Sequence, residues 1–223
     1  ESTDTTREIA ECLDARVIIN PWPGFAKQKQ FGVDAASYDW IFSLDADERV
    51  SPELRDEISA LRELSAGQLP AGYRIPRLSY YMGRPIRHSG WYPDWQLRLF
   101  DRRRARWSEA LIHESVKITD RSKPGVLAGD IIHYTIDSAE HHNAMIGERY
   151  APLAAHQMFE NGTRTSPFRV AAAGPIAFLS TYILKAGFLD GWPGFCIARF
   201  AAHHAFMKYL CLWQMQTAKS NAA

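Results

Sequence analysis

One stretch constrains this chain more than any other: Trp40 to Val50, W-I-F-S-L-D-A-D-E-R-V. Trp40-Ile41-Phe42-Ser43-Leu44 is short, apolar and rich in aromatic and branched side chains, as a buried strand is. It stops at three carboxylates, Asp45, Asp47 and Glu48. A buried strand that ends in acids predicts the C-terminal end of a parallel strand, the edge where open α/β sheets hold ligands. Residues two apart on an extended chain point to one side, so Asp45 and Asp47 are expected to converge. Two hard oxygen donors there suit Mg²⁺ or Mn²⁺ carrying a diphosphate. The plainer reading is a solvated acid pair ahead of a helix, for which Ser51-Pro52-Glu53 supplies cap, N1 proline and first-turn acid.

Two sharper alternatives fail on single residues. An EF-hand loop opening at Asp45 needs glycine where Val50 stands. The D-x-D of aspartyl-phosphate phosphatases expects Thr or Val where Arg49 stands. The surrounding pattern is α/β. A helix is predicted over residues 5–13, a strand over Arg16–Asn20, and a rigid turn at Pro21-Trp22-Pro23-Gly24. A helix over 25–36, the Trp40 strand and a helix over 52–64 follow. This alternation predicts a mixed, mostly parallel sheet flanked by helices.

Further on, Tyr73 to Tyr81 reads as a strand in which Pro76 signals an edge or a bulge. Trp95 to Phe100 alternates, with Trp95, Leu97 and Leu99 on one face and Gln96 and Arg98 on the other. The basic run Arg102, Arg103, Arg104 and Arg106 is either a solvated hairpin or a contact for an anion. Residues 110–116 form an apolar run ending in His113-Glu114, and Lys117 breaks any H-E-x-x-H zinc pattern. Ile131-Ile132-His133-Tyr134 again sets a histidine after apolar residues. Each histidine by itself is as readily structural as ligating.

The 26 lysines and arginines balance 25 acids, which excludes a general nucleic-acid binder. Cys12, Cys196 and Cys211 are odd in number and form no C-x-x-C pair, as reduced thiols of a cytosolic protein would. A long helix is predicted over 137–160, ending at Asn161-Gly162. Residues 170–184 then carry no charge, and 195–213 mix large apolar residues with Arg199, His203, His204 and Lys208. Both fall short of the ~20 clean apolar residues of a spanning helix. They are expected to lie as amphipathic helices in a membrane interface, or to pack as a hairpin on the main domain or a second subunit.

Taken in order, several segments resemble glycosyltransferase family 2, of the GT-A fold, and within it the bacterial branch that adds glucose to the lipopolysaccharide inner core. They are S-T-D-T-T (2–6), W-P-G-F-A-K-Q-K (22–29), S-L-D-A-D-E-R-V (43–50) and G-W-Y-P-D-W-Q-L-R-L-F (90–100). I-H-E-S-V (112–116), H-Y-T (133–135) and G-F-L-D-G-W-P-G-F (187–195) complete the set. The resemblance implies a GT-A-like, Rossmann-like catalytic domain over 1–136 and a helical, membrane-associating region over 137–223. It implies a divalent metal, Mg²⁺ or Mn²⁺, on Asp45, Asp47 and His133, with Glu114 as catalytic base. Asp4, Gln28, Lys29 and Arg98 would join Asp45 and Asp47 around the donor nucleotide.

The implied reaction is an inverting transfer of a hexose from a nucleoside-diphosphate sugar, UDP-glucose favoured, to a glycolipid acceptor such as an inner-core heptose. The implied location is the cytoplasmic face of the bacterial inner membrane. Relatives carry a first strand of the form I-P-x-Y-N-E and an Asp-Ser ahead of S-T-D. This sequence opens at Glu1 without them, so either they lie upstream or this version is impaired. The alternatives are therefore an inactive membrane-bound scaffold and, with the same acids, a metal-dependent phosphohydrolase.

Overall fold

A computed structural model describes residues 3–108 and 114–221 of the chain; His113 and most of the predicted apolar run 110–116 lie outside the described residues. The first elements are helices α1 (Thr6–Cys12) and α2 (Phe25–Ala35), strands β1 (Trp40–Phe42) and β2 (Glu48–Val50), and helix α3 (Pro52–Ala60). Strands β3 (Gly72–Tyr81), β4 (Arg84–Pro85), β5 (Asp94–Asp101) and β6 (Ala105–Trp107) follow. After them come β7 (Val116–Ile118), β8 (Gly125–Val126) and β9 (Ile131–Ile136). The chain closes with helices α4 (Ala139–Ala144), α5 (Ala151–Glu160), α6 (Pro167–Leu179) and α7 (Trp192–Asn221). Two compact units result. One comprises Glu1–Leu44, Ile58–Ile75 and Gln96–Leu127, the other Asp45–Glu57, Pro76–Trp95 and Ala128–Ala223.

In the first unit β1 runs antiparallel to β5, with Ile41 opposite Phe100. The start of β3 pairs in parallel with β8. Gly72 permits the close approach of β3 to β5, since a Cβ there would lie 2.9 Å from the Leu99 carbonyl oxygen. The core is Val33, Phe100, Ala105, Trp107 and Val116, with Ile41, Leu97 and Ile118 against it. Burying apolar area of this kind stabilises by about 25 cal/mol per Å². The basic run resolves as structure. Arg102 donates to the Val33 and Ala36 carbonyls, Arg103 grips Asp101 and Asp39, and Arg104 pairs with Asp120. Three of its four guanidiniums thus tie a turn to its neighbours, and the solvated-hairpin reading is also too simple.

Two sequence expectations need correction here. The strand predicted at Arg16–Asn20 does not form. A strand exists through its ladder, and among the described residues β1 has the single neighbour β5. Ile18 and Ile19 accordingly stay exposed. The α/β class with a helix-flanked sheet holds, but among the described residues β1 with β5 and β2 with β9 pair antiparallel, while β3 pairs in parallel with β8 and with β9. The helices between strands largely cease after α3. Strands joined by short connections pair antiparallel, because a parallel return needs a crossover of a dozen or more residues.

In the second unit β9 lies between β3 and β2, parallel to β3 and antiparallel to β2. Pro76 is not on an edge. On one side of β3 it sits at the change of partner, after Arg74 leaves β8 and before Arg77 joins β9, where its missing N–H interrupts neither of those two pairings. The core here is Tyr81, Ile86, Ile136 and Ile197, with Trp91, Met145 and Cys196 against it. The predicted long helix forms from Ser138, whose hydroxyl accepts the His141 N–H, to Gly162 at φ 72°. Its middle, Met145–Tyr150, widens into a π-turn just before Pro152. A proline inside a helix leaves the carbonyl four residues back without its donor, and a wide turn relieves the clash. Helices α5 and α6 both pack on α7.

Asp190 fixes the entry to α7. Its carboxylate, 4% exposed, accepts the backbone N–H groups of Arg87 and His88 and the Ser89 hydroxyl, and pairs with His88 Nδ1 at 3.0 Å. One buried acid of the 187–195 motif therefore holds the Arg87–Ser89 loop that leads into the 90–100 motif.

Candidate active site

The acids after β1 form a tight turn, not an extended strand end. The Glu48 N–H donates to the Asp45 carbonyl at 3.0 Å, closing a four-residue turn from Asp45 to Glu48. The expected convergence of Asp45 and Asp47 assumed an extended chain, and the turn removes that basis. Glu48, the third acid, is the one that organises the loop. Its side chain is fully buried, one oxygen accepting the Asp45 N–H at 2.9 Å and the other lying 3.1 Å from Arg77. Arg77 also grips Asp94 at 2.6 Å. Burial alone would push the Arg77 guanidinium down, but Asp94 and Glu48 outweigh it and hold its pKa above the usual value.

Asp47 is left at the tip, half exposed, with Oδ2 3.1 Å from His133 Nε2. His133 reaches it because β2 pairs with β9, placing Glu48 directly opposite His133, and because the Tyr134 N–H donates to the Asp47 carbonyl. The other ring nitrogen lies 2.9 Å from the Thr135 hydroxyl. A partner on Nδ1 fixes the ring and leaves Nε2 for whatever Asp47 shares with it. The same geometry fits a cation. Neighbouring ligands of an octahedral ion bound at about 2.0–2.1 Å sit about 3 Å apart, and the observed separation is 3.1 Å. Among the described residues Asp45 does not join the pair in a cluster of three. Mg²⁺-type ions commonly take one or two protein ligands and complete their shell with water and substrate phosphates.

The other expected residues fall in the first unit. Lys29 Nζ lies 3.8 Å from Glu114 Oε1, each side chain about one-fifth exposed. Lys29 also stands over the Trp107 ring at 4.8 Å, and Arg98, buried, lies 5.8 Å from the same ring. Such contacts stabilise a cation by about 0.5–2 kcal/mol. Gln28 accepts from Asn20 at 2.9 Å, and Asp4 accepts both the N–H and the hydroxyl of Thr6 at the start of α1. These Thr6 bonds hold the Asp4 carboxyl below its usual range.

The sequence model described as Glycosyl transferase family 2 matches residues 1–118, just over half of the chain. The chain belongs to glycosyltransferase family 2. A lipopolysaccharide core biosynthesis glycosyltransferase, LpsC, of Rhizobium meliloti (strain 1021) is 28% identical over 225 residues, covering 98% of this chain and 82% of its own length. Uncharacterized glycosyltransferases of Rickettsia prowazekii (strain Madrid E), RP128, and of Rickettsia typhi (strain ATCC VR-144 / Wilmington), RT0209, are each 28% identical over 230 residues, covering 99% of this chain and 78% of their own.

In this family 2 glycosyltransferase Asp45, Asp47 and Glu114 lie inside the matched span, and His133 lies beyond it. The structure brings Asp47 to His133 and Lys29 to Glu114. Three supporting residues were not singled out in the sequence. Thr135 could have been, because the spacing H-Y-T puts it on the same strand face as His133. Trp107 and Arg77 carry no local signal, since their partners lie in distant segments of the chain.

Proposed function

We propose that this glycosyltransferase is metal-dependent and inverting, and moves a hexose, glucose first among the candidates, from a nucleoside-diphosphate sugar to a lipopolysaccharide-core or other cell-envelope glycan. The observation that carries the proposal is the Asp47–His133 pair. The two residues are 86 apart in the chain, yet a carboxylate oxygen and an imidazole nitrogen meet at 3.1 Å. That pairing is what a D-x-D acid and a late histidine sharing one ion require. Asp47 and His133 would hold Mg²⁺ or Mn²⁺, the imidazole nitrogen favouring Mn²⁺ over the strictly oxygen-seeking Mg²⁺. When bound, the ion neutralises charge developing on the departing diphosphate.

The chain's own groups supply the rest. Thr135 keeps Nε2 of His133 turned to Asp47. Glu48, by holding the Asp45 N–H and Arg77, keeps the turn closed. Glu114 is assigned the proton of the attacking acceptor hydroxyl. Its carboxylate faces the Lys29 ammonium, which neutralises its charge between turnovers. A general base of this kind contributes roughly 10²- to 10⁴-fold in rate. Asp4, Gln28 and Arg98 are proposed around the donor as framework, since the first two already have neighbouring partners. UDP-glucose is the favoured donor, and LpsC, by its name a lipopolysaccharide core enzyme, favours a glycolipid acceptor.

The glycosyltransferase is further proposed to lie peripherally on the cytoplasmic face of the inner membrane. The helix Pro167–Leu184 has mean hydropathy 1.3, and only 22% of it is buried. A core helix of that composition would be mostly covered. Phe168, Leu184 and Trp192 are 83%, 81% and 72% exposed.

Calorimetric titration of the full chain with UDP, with and without Mn²⁺, tests the site. Asp47→Ala and His133→Ala are each expected to weaken Mn²⁺-dependent UDP binding at least about tenfold. Glu114→Gln is expected to keep UDP binding and to lose transfer. UDP binding that ignores Mn²⁺ would reject the metal assignment, and release of phosphate without a glycosylated product would favour a hydrolase. Normal Mn²⁺-dependent UDP binding without transfer to any acceptor would favour a scaffold.

A further inference from the structure

Helices α6 and α7 enclose a cleft of about 570 Å³ whose floor and walls are apolar except at one place. Gly174 and Ala202 form the floor; a Cβ on Gly174 would stand 3.4 Å from the Ala202 carbonyl oxygen, so backbone lies close to backbone there. Phe178, Leu179 and Phe206 form the walls. The exceptions are Arg199 and His203, one turn apart on α7 and therefore on one face. Among the described residues no acid lines the cleft.

The charge of the region points the same way. Residues 161–223 carry six lysines and arginines against a single acid, Asp190, while the rest of the chain carries 20 against 24. Asp190 does not offset this at the surface, because its carboxylate is buried on the Arg87–Ser89 loop. At the α6–α7 connection Ile183, Leu184, Phe188, Leu189 and Trp192 are all about half exposed or more. A soluble anion would match the Arg199 guanidinium and the His203 ring but not the apolar walls. A neutral hydrophobe would match the walls but set a guanidinium and a polar imidazole against it.

We propose that the α6–α7 cleft seats one anionic phospholipid of the bilayer, its phosphate on Arg199 and His203 and an acyl chain along Phe178, Leu179 and Phe206. This rests on the peripheral-membrane reading above and goes beyond it, because a helix pair that merely lies in the interface needs no cleft. Bound lipid would set the rotational position of α7 on the membrane and convert a general attraction into a preference for acidic lipid. No residue assigned to chemistry takes part.

Flotation of the full chain with vesicles tests it, comparing phosphatidylcholine alone with an equal mixture of phosphatidylcholine and phosphatidylglycerol. The native chain is expected to float with both and to prefer the mixture. Arg199→Gln with His203→Gln should reduce that preference by about fivefold or more, the effect of one basic residue at an anionic surface. Ala171→Trp, at an exposed position on the cleft wall, changes no charge and should cause a similar loss by filling the site. Arg164→Gln, a charge control outside the cleft, should cost less than either. Circular dichroism confirms that each variant is folded. If Ala171→Trp keeps the full preference, or Arg164→Gln costs as much as the cleft variants, the attraction is diffuse and the cleft proposal is overturned. If inorganic phosphate alone abolishes the preference without the acyl chain, the site binds phosphate and the lipid assignment fails. A concentration-dependent dimer that Ala171→Trp dissolves makes the occupant a second copy, which also overturns it. Failure of the native chain to float with either vesicle rejects the membrane reading itself.

Discussion

Glu48 offers the sharpest test of how the acidic turn is built. A sequence reader sees it as the third of three acids, yet the structure makes it the support on which the other two stand. Its side chain is fully buried between the Asp45 N–H at 2.9 Å and Arg77 at 3.1 Å. Glu48→Gln keeps the shape and an oxygen for the Asp45 N–H but removes the charge facing Arg77. A hydrogen bond to a charged group contributes about 1.5–3 kcal/mol. Arg77 retains Asp94 at 2.6 Å, so the lower end applies, about 1.5–2 kcal/mol. Glu48→Ala also orphans the Asp45 N–H and leaves a cavity, and breaking a buried pair costs about 3–5 kcal/mol. The expected order is thus native, then Gln, then Ala, with the alanine variant roughly twice as costly. Urea unfolding followed by tryptophan fluorescence measures it. Titration with Mn²⁺ and UDP reads the functional effect, in which Glu48→Gln should weaken binding although its carboxylate is directed to the Asp45 N–H and Arg77. An alanine variant within about 0.5 kcal/mol of native, or equal to the glutamine variant, would refute the supporting role.

Two further outcomes follow from packing and from protonation. Gly129→Ala would set a Cβ 2.3 Å from the Leu54 amide nitrogen and 2.5 Å from its Cα. Backbone at the start of α3 cannot yield as a side chain can, so a loss of about 3 kcal/mol or more in urea unfolding is expected. Gly32→Ala on α2 meets nothing within 4 Å and should be neutral or gain up to about 1 kcal/mol, an internal control. His142 is buried against Tyr81 and Phe200, and burial, reinforced by His141, His203 and His204, lowers its pKa to about 4. An unfolded histidine titrates near 6.5. Below that pH the unfolded chain takes up a proton that the folded ring refuses, so stability is full above about 6.5 and falls as pH drops toward about 4. The loss should be about 2 kcal/mol after allowance for partial solvent screening. Urea midpoints against pH should fall for the native chain and flatten for His142→Phe; parallel profiles would reject the assignment.

What the sequence made legible was what short-range rules govern. Ser51 and Ser138 cap their helices as hydroxyls ahead of apolar periodicity do. Gly162 ends its helix in the left-handed region. The Trp40 strand was readable from composition, but among the described residues it is a half-buried end strand antiparallel to β5, where a buried parallel strand was expected. The strand expected at Arg16–Asn20 was not wrong in propensity: R-V-I-I-N suits a ladder, but a ladder needs a second edge, and propensity carries no information about that. The turn at Asp45–Glu48 was missed for a related reason. Reading two acids as pointing one way assumes the strand continues, whereas Glu48 reaches back to the Asp45 amide and closes the chain on itself.

The site itself divides along the same line. His133 could be nominated from the spacing of motifs, but its meeting with Asp47 depends on β2 pairing with β9 in one register. A one-residue slip would set Glu48 opposite Ile132 or Tyr134 and turn His133 to the other face of the sheet, away from Asp47. That register is itself held by the Tyr134 N–H on the Asp47 carbonyl and by Glu48 on Arg77. The acid pair and the basic residue beneath it are therefore one device: the buried acid sets the turn, the turn sets the register, and the register delivers the histidine. The proposed site at this end of the chain cannot be separated from its support, because the buried carboxylate of Glu48 decides where the Asp47 carboxylate, proposed to hold the metal, will stand.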